Sequence, residues 1–355
     1  MDNLTLIHDQ LSFIWWIALG LSFLLYVILD GADLGAGIFS LFVKDEDERG
    51  AIMASMAGTW DANETWLVVA GGILFGGFPI VYGSAFHYLL VPLMVALWSI
   101  MMRAVSLEFR AHSDRSRRFW DWAFGIGSLT ATFCAGMALG AILTGFPVTD
   151  VVELVNESAG QVPTFTGGTF DFFSPFSIWT GVAAIIAASL AGGIYLKARF
   201  ELDCEIRGRA SVWTSVTFYL ALVAVVVTLV WSYFELDWAA DKWTGPYGWI
   251  WWTLGVAVLL AAFKMRLASI RNHDLAAMLW LAIVIALMWG GMMATMYPWL
   301  VPGTWTIHSG GSPATTLESF TIAMSGFIPV MLMYNWYQIW VFRARITTLD
   351  AYARH

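Results

Sequence analysis

Long apolar runs separated by short charged loops set the pattern of this chain. Crossing a bilayer as a helix takes about 20 apolar residues. Segments of that kind fall at roughly 11–43, 64–78, 79–102, 119–145, 175–197, 211–235, 246–264, 275–298 and 318–342. The second is short and is parted from the third only by Pro79, so the pattern gives nine spans, or eight if the two merge. Loop charge separates these counts. Arg103, Arg110, Arg115, Arg117 and Arg118 mark one loop. Lys197, Arg199, Arg207 and Arg209 mark a second, and Lys264, Arg266 and Arg271 a third. Arg343, Arg345 and Arg354 mark the C-terminal tail. Residues 146–174 and 299–317 contain no Lys or Arg, and 236–248 contains only Lys242. Positive loops stay on the cytoplasmic side, so the last six segments alternate cleanly and the C-terminus is expected inside. The loop at 44–63, with Lys44 and Arg49, joins that side only if 64–78 and 79–102 are separate spans. Nine spans with the N-terminus outside is therefore the expectation.

Composition narrows the class without changing this picture. Of 355 residues, 59% are hydrophobic and 12% charged, with a mean hydropathy of +0.69. A soluble domain carries about 25% charged residues, so a polytopic membrane protein is the class that fits, as one domain over 1–355. No basic face for nucleic acid exists, and the net charge of −8 identifies no partner. Cys134 and Cys204 offer neither a disulfide framework nor metal spacing. Asp2 and Asp9 near the start, ahead of an unbroken apolar run, do not fit a cleavable signal. Small-residue pairs at Gly31/Gly35, Gly72/Gly76 and Gly136/Gly140 predict closely packed helices. The glycine- and proline-rich outer loops (Gly167-Gly168 before Pro175, and Pro302-Gly303 through Pro313) are expected as ordered caps or short flexible turns.

Two acidic stretches interrupt the apolar runs: Asp30-Gly31-Ala32-Asp33 and Trp60-Asp61-Ala62-Asn63-Glu64-Thr65-Trp66. An Asp at the bilayer centre costs roughly 2.5–3.5 kcal/mol, while a Leu returns about 0.5. Asp30 and Asp33 share a helical face by their spacing. They turn inward as a functional pair, or else the membrane part ends near Leu29 and they meet water. Asp61 and Glu64 have two readings also. They are a proton-handling pair, or a capping box with Asp61 as N-cap and Glu64 three residues on, flanked by the interfacial tryptophans Trp60 and Trp66. Arg103 is either their counter-charge or an ordinary cytoplasmic anchor. His87 is the one histidine well inside a span, where a hydrogen-bonded structural group is commoner than a haem ligand. Met288, Met292, Met293 and Met296 read as packing.

In order along the chain, these motifs resemble one family: subunit II of cytochrome bd-type ubiquinol oxidases, including the cyanide-insensitive branch. The resemblance rests on Phe13-Ile14-Trp15-Trp16, Leu29-Asp30-Gly31-Ala32-Asp33-Leu34-Gly35-Ala36-Gly37 and Trp60 through Leu67. It continues in Arg103 with Glu108-Phe109-Arg110, Trp120-Asp121-Trp122 leading to Gly145-Phe146-Pro147, and Tyr195-Leu196 through Arg207-Gly208-Arg209-Ala210. Met296-Tyr297-Pro298 and Trp340-Val341-Phe342-Arg343 close it. It covers nearly the whole chain, and the first two acidic motifs are the specific ones.

The resemblance implies an all-α fold of about nine transmembrane helices, as two four-helix bundles plus a peripheral helix, in a bacterial inner membrane. It implies a heterodimer with subunit I, which carries the haem b and haem d-type (or b-type) groups and the quinol site. That complex oxidises ubiquinol or menaquinol, reduces dioxygen to water and builds a proton gradient without pumping. Membrane lipids surround it, and a small single-helix subunit or a structural quinone or lipid within this chain stays open. Asp61 matches the family's cytoplasmic proton-path carboxylate, and Trp66, with Trp60 beside it, matches a site of oxygen entry or subunit contact. Asp30 and Arg103 match a pair near the same region, with Asp33 alongside. Glu64 departs from members with a neutral residue after Asn, which leaves it as a cap partner. Two rival classes are a secondary transporter, which wants polar groups in paired helices of two repeats, and a purely structural scaffold.

Overall fold

In the computed structural model, residues 3–113, 115–149, 164–341 and 345–346 are described; Phe342, Arg343 and Arg354 lie outside them. Twelve helices dominate the described residues: α1 (Asn3–Ser40), α2 (Glu46–Met56), α3 (Trp60–Gly77), α4 (Pro79–Tyr88), α5 (Leu90–Ala111), α6 (Arg117–Leu143), α7 (Pro175–Arg199), α8 (Glu205–Glu235), α9 (Asp237–Thr244), α10 (Gly248–Ile270), α11 (Asp274–Met296) and α12 (Ala314–Val341). Two short antiparallel pairs, β1 (Val148–Thr149) with β2 (Thr164–Phe165) and β3 (Trp299–Val301) with β4 (Trp305–Thr306), complete it.

Eight described helices are long and apolar enough to cross a membrane, and α3 with α4 makes a ninth if the bent pair is one span. One expected span is corrected. Residues 79–102 do not form one helix: α4 turns 120° away from α3 at Phe78, and α5 starts afresh at Leu90. Pro79 sits at the first position of α4, where its missing N–H costs nothing. Ten residues of helix rise only about 15 Å, so α4 cannot cross. His87 therefore lies on this short helix, exposed, instead of inside a span.

The crossing helices sort into α1, α3, α5 and α6 on one side and α7, α8, α10 and α11 on the other, joined where α1 and α6 pack on α7. α12 lies outside, touching α1 and α3. Of the glycine pairs, Gly136 and Gly140 pack directly on α7, and Gly35 meets Gly192 backbone to backbone, whereas Gly31 and Gly72 face open space. The aromatic core gathers Trp15, Trp16, Trp66, Phe78 and Phe146 under a lid made by Leu300, Val301, Trp305 and Ile307. The loop at 299–317 is thus an ordered cap.

Ionic contacts concentrate at one end of the bundle. There Arg110 meets Asp121 at 2.5 Å, Arg209 meets Glu48 at 2.6 Å, and Arg207 and Arg345 both hold Asp274, at 2.9 and 2.8 Å. Arg199 donates to Ser55 O at 2.8 Å, and Ile346 pairs in parallel with Phe200. α1, α5, α7, α10 and α12 finish at this end, while α3, α6, α8 and α11 begin there.

α2 lies across that end outside the spans, opened by Asp45, whose side chain accepts from the amides of Asp47 and Glu48. Burial pushes the Glu48 carboxyl up from its usual range, against the pull of Arg209 and with help from Glu205 and Asp45. A raised folded-state value means that stability is whole at low pH and declines as pH rises through it. Glu48→Gln keeps an acceptor for Arg209 and is expected to remove that part of the decline. The dependence of melting temperature on pH should run parallel for the two proteins below the ordinary carboxyl value of 4.5, and the wild type should lose stability relative to the variant at higher pH. A variant less stable at neutral pH would mean that the attraction to Arg209 outweighs the burial.

Candidate functional site

Asp30 lies ten residues before the end of α1, about 15 Å into the bundle, and is fully buried with Asp33 beside it at 1% exposure. Helix α1 does not stop near Leu29; it runs on to Ser40, so the pair turns inward and does not meet water. Arg103, itself fully buried on α5, reaches between them. Its Nη2 donates to Asp30 Oδ1 at 2.7 Å and lies 3.9 Å from Asp33 Oδ2. Its Nη1 donates to Glu64 Oε1 at 2.8 Å. Asn63 Nδ2 closes the ring by donating to Asp33 Oδ2 at 2.8 Å. Three helices thus bring three carboxylates to one guanidinium.

The capping role for Asp61 and Glu64 is corrected by this geometry. Helix α3 begins at Trp60 with Thr59 as its N-cap, and no side-chain cap bond forms there. Glu64 instead turns sideways to Arg103, which a cap geometry would forbid. Asp61 stands exposed on the same first turn, one helical step from Glu64, so the pair leads from surface to cluster. Trp60 is half-buried, while Trp66 is 3% exposed within the aromatic core and presents no surface to a partner. Asp30 Oδ2 and Arg103 Nε are buried without a hydrogen-bond partner among the described residues. Buried polar atoms normally find one, so the cluster has capacity to spare.

A second buried ionic group went unread in the sequence. Lys197 donates to Ser269 O at 2.7 Å and Oγ at 3.0 Å, and Arg207 binds Asp274 through two bonds and also donates to Lys197 O. All these residues sit at helix ends, where Lys and Arg pass for cytoplasmic anchors. Hydrogen-bonded to one another at the helix ends, these residues tie α7, α8, α10 and α11 together.

Between α5 and α6 runs an apolar groove of about 520 Å³, lined by Met94, Trp98, Met102, Phe119, Trp122 and Ile126. No histidine lines it, and His87 is exposed. These residues do not fit a haem, which needs a buried cavity with an axial ligand.

The fold and the cluster define a class: an all-helical, polytopic membrane protein built round a buried ionic site. Residues 11–342 match the family model described as cytochrome bd terminal oxidase subunit II. The chain belongs to that family. It is similar to cytochrome bd-I ubiquinol oxidase subunit 2 of Escherichia coli (strain K12), at 27% identity over 97% of each chain. It is also similar to cytochrome bd ubiquinol oxidase subunit 2 of Bacillus subtilis (strain 168), at 24% identity over 96% of this chain and 97% of the other. In fold it matches the structure of bd oxidase from Geobacillus thermodenitrificans with a TM-score of 0.75 at 18% identity, covering 94% of this chain and 98% of that one.

Proposed function

We propose that this chain takes up protons for the dioxygen reduction carried out in a quinol oxidase complex, and holds the haem-bearing subunit I in place. The haems and the quinol site belong to the partner, in keeping with the poor fit of a haem to the α5–α6 groove. The observation that carries the reading is the set of three carboxylates around one buried arginine, with Asp61 at its exposed mouth. One guanidinium offsets one carboxylate, and uncompensated charge is costly at such depth. A proton shared among Asp30, Asp33 and Glu64 relieves the surplus, and a site that must hold a proton can also pass one on.

Asp61 collects protons at the end of the bundle carrying the positive loops, which the positive-inside rule makes cytoplasmic. Glu64 receives them, and Asp30 and Asp33 hold them beside Arg103. The N-terminus then faces outward and the C-terminus the cytoplasm of a bacterial inner membrane. Trp60 retains surface for subunit contact, whereas Trp66 acts from the core. The α5–α6 groove has the volume of a small-ligand site and the apolar lining that an isoprenoid quinone or lipid tail requires.

Asp61→Asn tests the reading. In the purified complex, oxygen uptake with a quinol substrate is expected to fall roughly tenfold, or ~1.4 kcal/mol of barrier, while haem spectra and subunit ratio stay as in the wild type. Unchanged turnover removes the relay, and loss of the haems would make Asp61 structural.

A further inference from the structure

At the far end of α1 stands a cluster that the proton path does not use. Asp9 lies about 32 Å from Asp30 along the helix, at 1.5 Å per residue, beside His8. His308, in the turn that follows β4, reaches across to them. Asp9 Oδ1 is 2.9 Å from His308 Nδ1 and 3.5 Å from His8 Nδ1. One ligand atom from each of the three residues lies within 4.8 Å of the others. We propose that His8, Asp9 and His308 bind a divalent transition-metal cation of the zinc class.

Three features favour an ion over a simple ion pair. His308 Nδ1 is buried and has no hydrogen bond among the described residues, although Asp9 Oδ1 is only 2.9 Å away. A nitrogen and an oxygen that close without hydrogen-bond alignment are arranged as two ligands along the edge of one coordination shell. That edge is about 3.3 Å for tetrahedral bonds of 2.0–2.1 Å, within the observed span. Second, two imidazoles and one carboxylate are a donor set that suits zinc, and partial exposure of all three residues leaves a fourth position open to water. Third, the back of the site is built. Ser12 Oγ is buried without a partner among the described residues. A Cβ placed on Gly311 would lie 2.7 Å from that hydroxyl and 3.3 Å from His8 Nε2. Only a glycine fits at 311 on this side, and the His8 ring turns its other nitrogen, Nδ1, to within 3.5 Å of Asp9 Oδ1. The ion would pin the start of α1 to the lid over the aromatic core.

The test uses the whole complex, purified on an affinity tag without histidine, stripped with chelator, exposed to Zn²⁺ and desalted. Metal analysis is expected to find one zinc per complex more in the wild type than in His8→Ala/His308→Ala. Zinc-edge X-ray absorption, which haem iron does not enter, should show imidazole and oxygen ligands at about 2.0–2.1 Å. His308→Asn, a single change at a partly exposed residue, guards against a misfolded double variant and should lose the same ion with subunit ratio and haem content intact. Equal zinc in wild type and variants overturns the proposal. So does a wild type that takes up none and shows only a pH-dependent change in stability on mutation, since Asp9 and His308 would then be an ion pair and nothing more.

Discussion

Arg103→Met is expected to cost the complex most of its yield. The guanidinium is fully buried and is the cation that three carboxylates face. Removing one partner of a buried pair typically destabilises by about 3–5 kcal/mol, because the other charge is left uncompensated. Here three such groups would remain, and methionine, though similar in length, supplies no donor to them. Membrane fractions should show little assembled subunit I with subunit II and weak haem absorption. The companion variant separates structure from proton transfer: Arg103→Met combined with Asp30→Asn, Asp33→Asn and Glu64→Gln removes all four charges together. Replacing a complete buried ionic group by neutral residues is often close to neutral for stability, so assembly should return. Turnover should stay low, since no group in the cluster could then hold an exchangeable proton. Full turnover in this neutral variant would refute a relay through the cluster, whatever its effect on folding.

Much of the fold was legible because lipid enforces a simple rule: backbone polar groups must be satisfied internally, so a run of about 20 apolar residues crosses as a helix. The failure at 79–102 has an identifiable cause. Between Tyr88 and Leu90 no glycine, proline or charge breaks the apolar run, so hydropathy sees one segment where the chain makes two helices. A signal was present in Pro92, which is comfortable only in a helix's first turn and falls there once α5 begins at Leu90. It is not decisive, since α12 carries Pro329 in its interior. The pairing of residues 345–346 with the end of α7 was invisible, because Ile346 belongs to no pattern and is buried only by joining a core cluster drawn from remote segments.

For the site, spacing placed Asp30 and Asp33 on one face, and loop charge put Arg103 at the same end. Those two facts came from periodicity and from the cost of charge in lipid. The two readings of Glu64 could not be separated because Asp-x-x-Glu before an apolar run fits a cap as well as it fits anything, and a shift of the helix start by one or two residues decides between them. Here α3 starts early enough that Glu64 faces α5. Arg207 with Asp274 and Asp9 with His308 were out of reach for another reason. Each couples segments remote in sequence, and each residue alone looks like an ordinary helix-end polar group.

The contact that holds the cluster's helix in place leaves no room for a Cβ, and any side chain there is expected to part the helices. At Gly192 on α7, a Cβ would fall 2.1 Å from the carbonyl carbon of Gly35 and 2.2 Å from the nitrogen of Ala36. From the other side, a Cβ on Gly35 would fall 1.7 Å from Ala188 O. The obstructing atoms are backbone, so no rotamer change relieves the clash and the helices themselves must part. Overpacking a core by a few carbons costs about 1–3 kcal/mol, which is the scale expected for Gly192→Ala. Gly192→Leu should prevent assembly. Gly31→Ala is the control: its Cβ meets nothing within 4 Å, and alanine is the better helix former by about 1 kcal/mol, so that variant should be neutral or slightly stabilised. The sign difference between Gly192→Ala and Gly31→Ala, both in apolar helix, is a sharp test of the α1–α7 crossing. Asp33 lies two residues from Gly35, so any parting at this point also draws Asp30 and Asp33 away from Arg103. Gly192→Ala should therefore lower turnover as well as melting temperature. A variant with reduced stability but full turnover would show that the cluster's 2.7 Å and 2.8 Å bonds do not depend on the crossing.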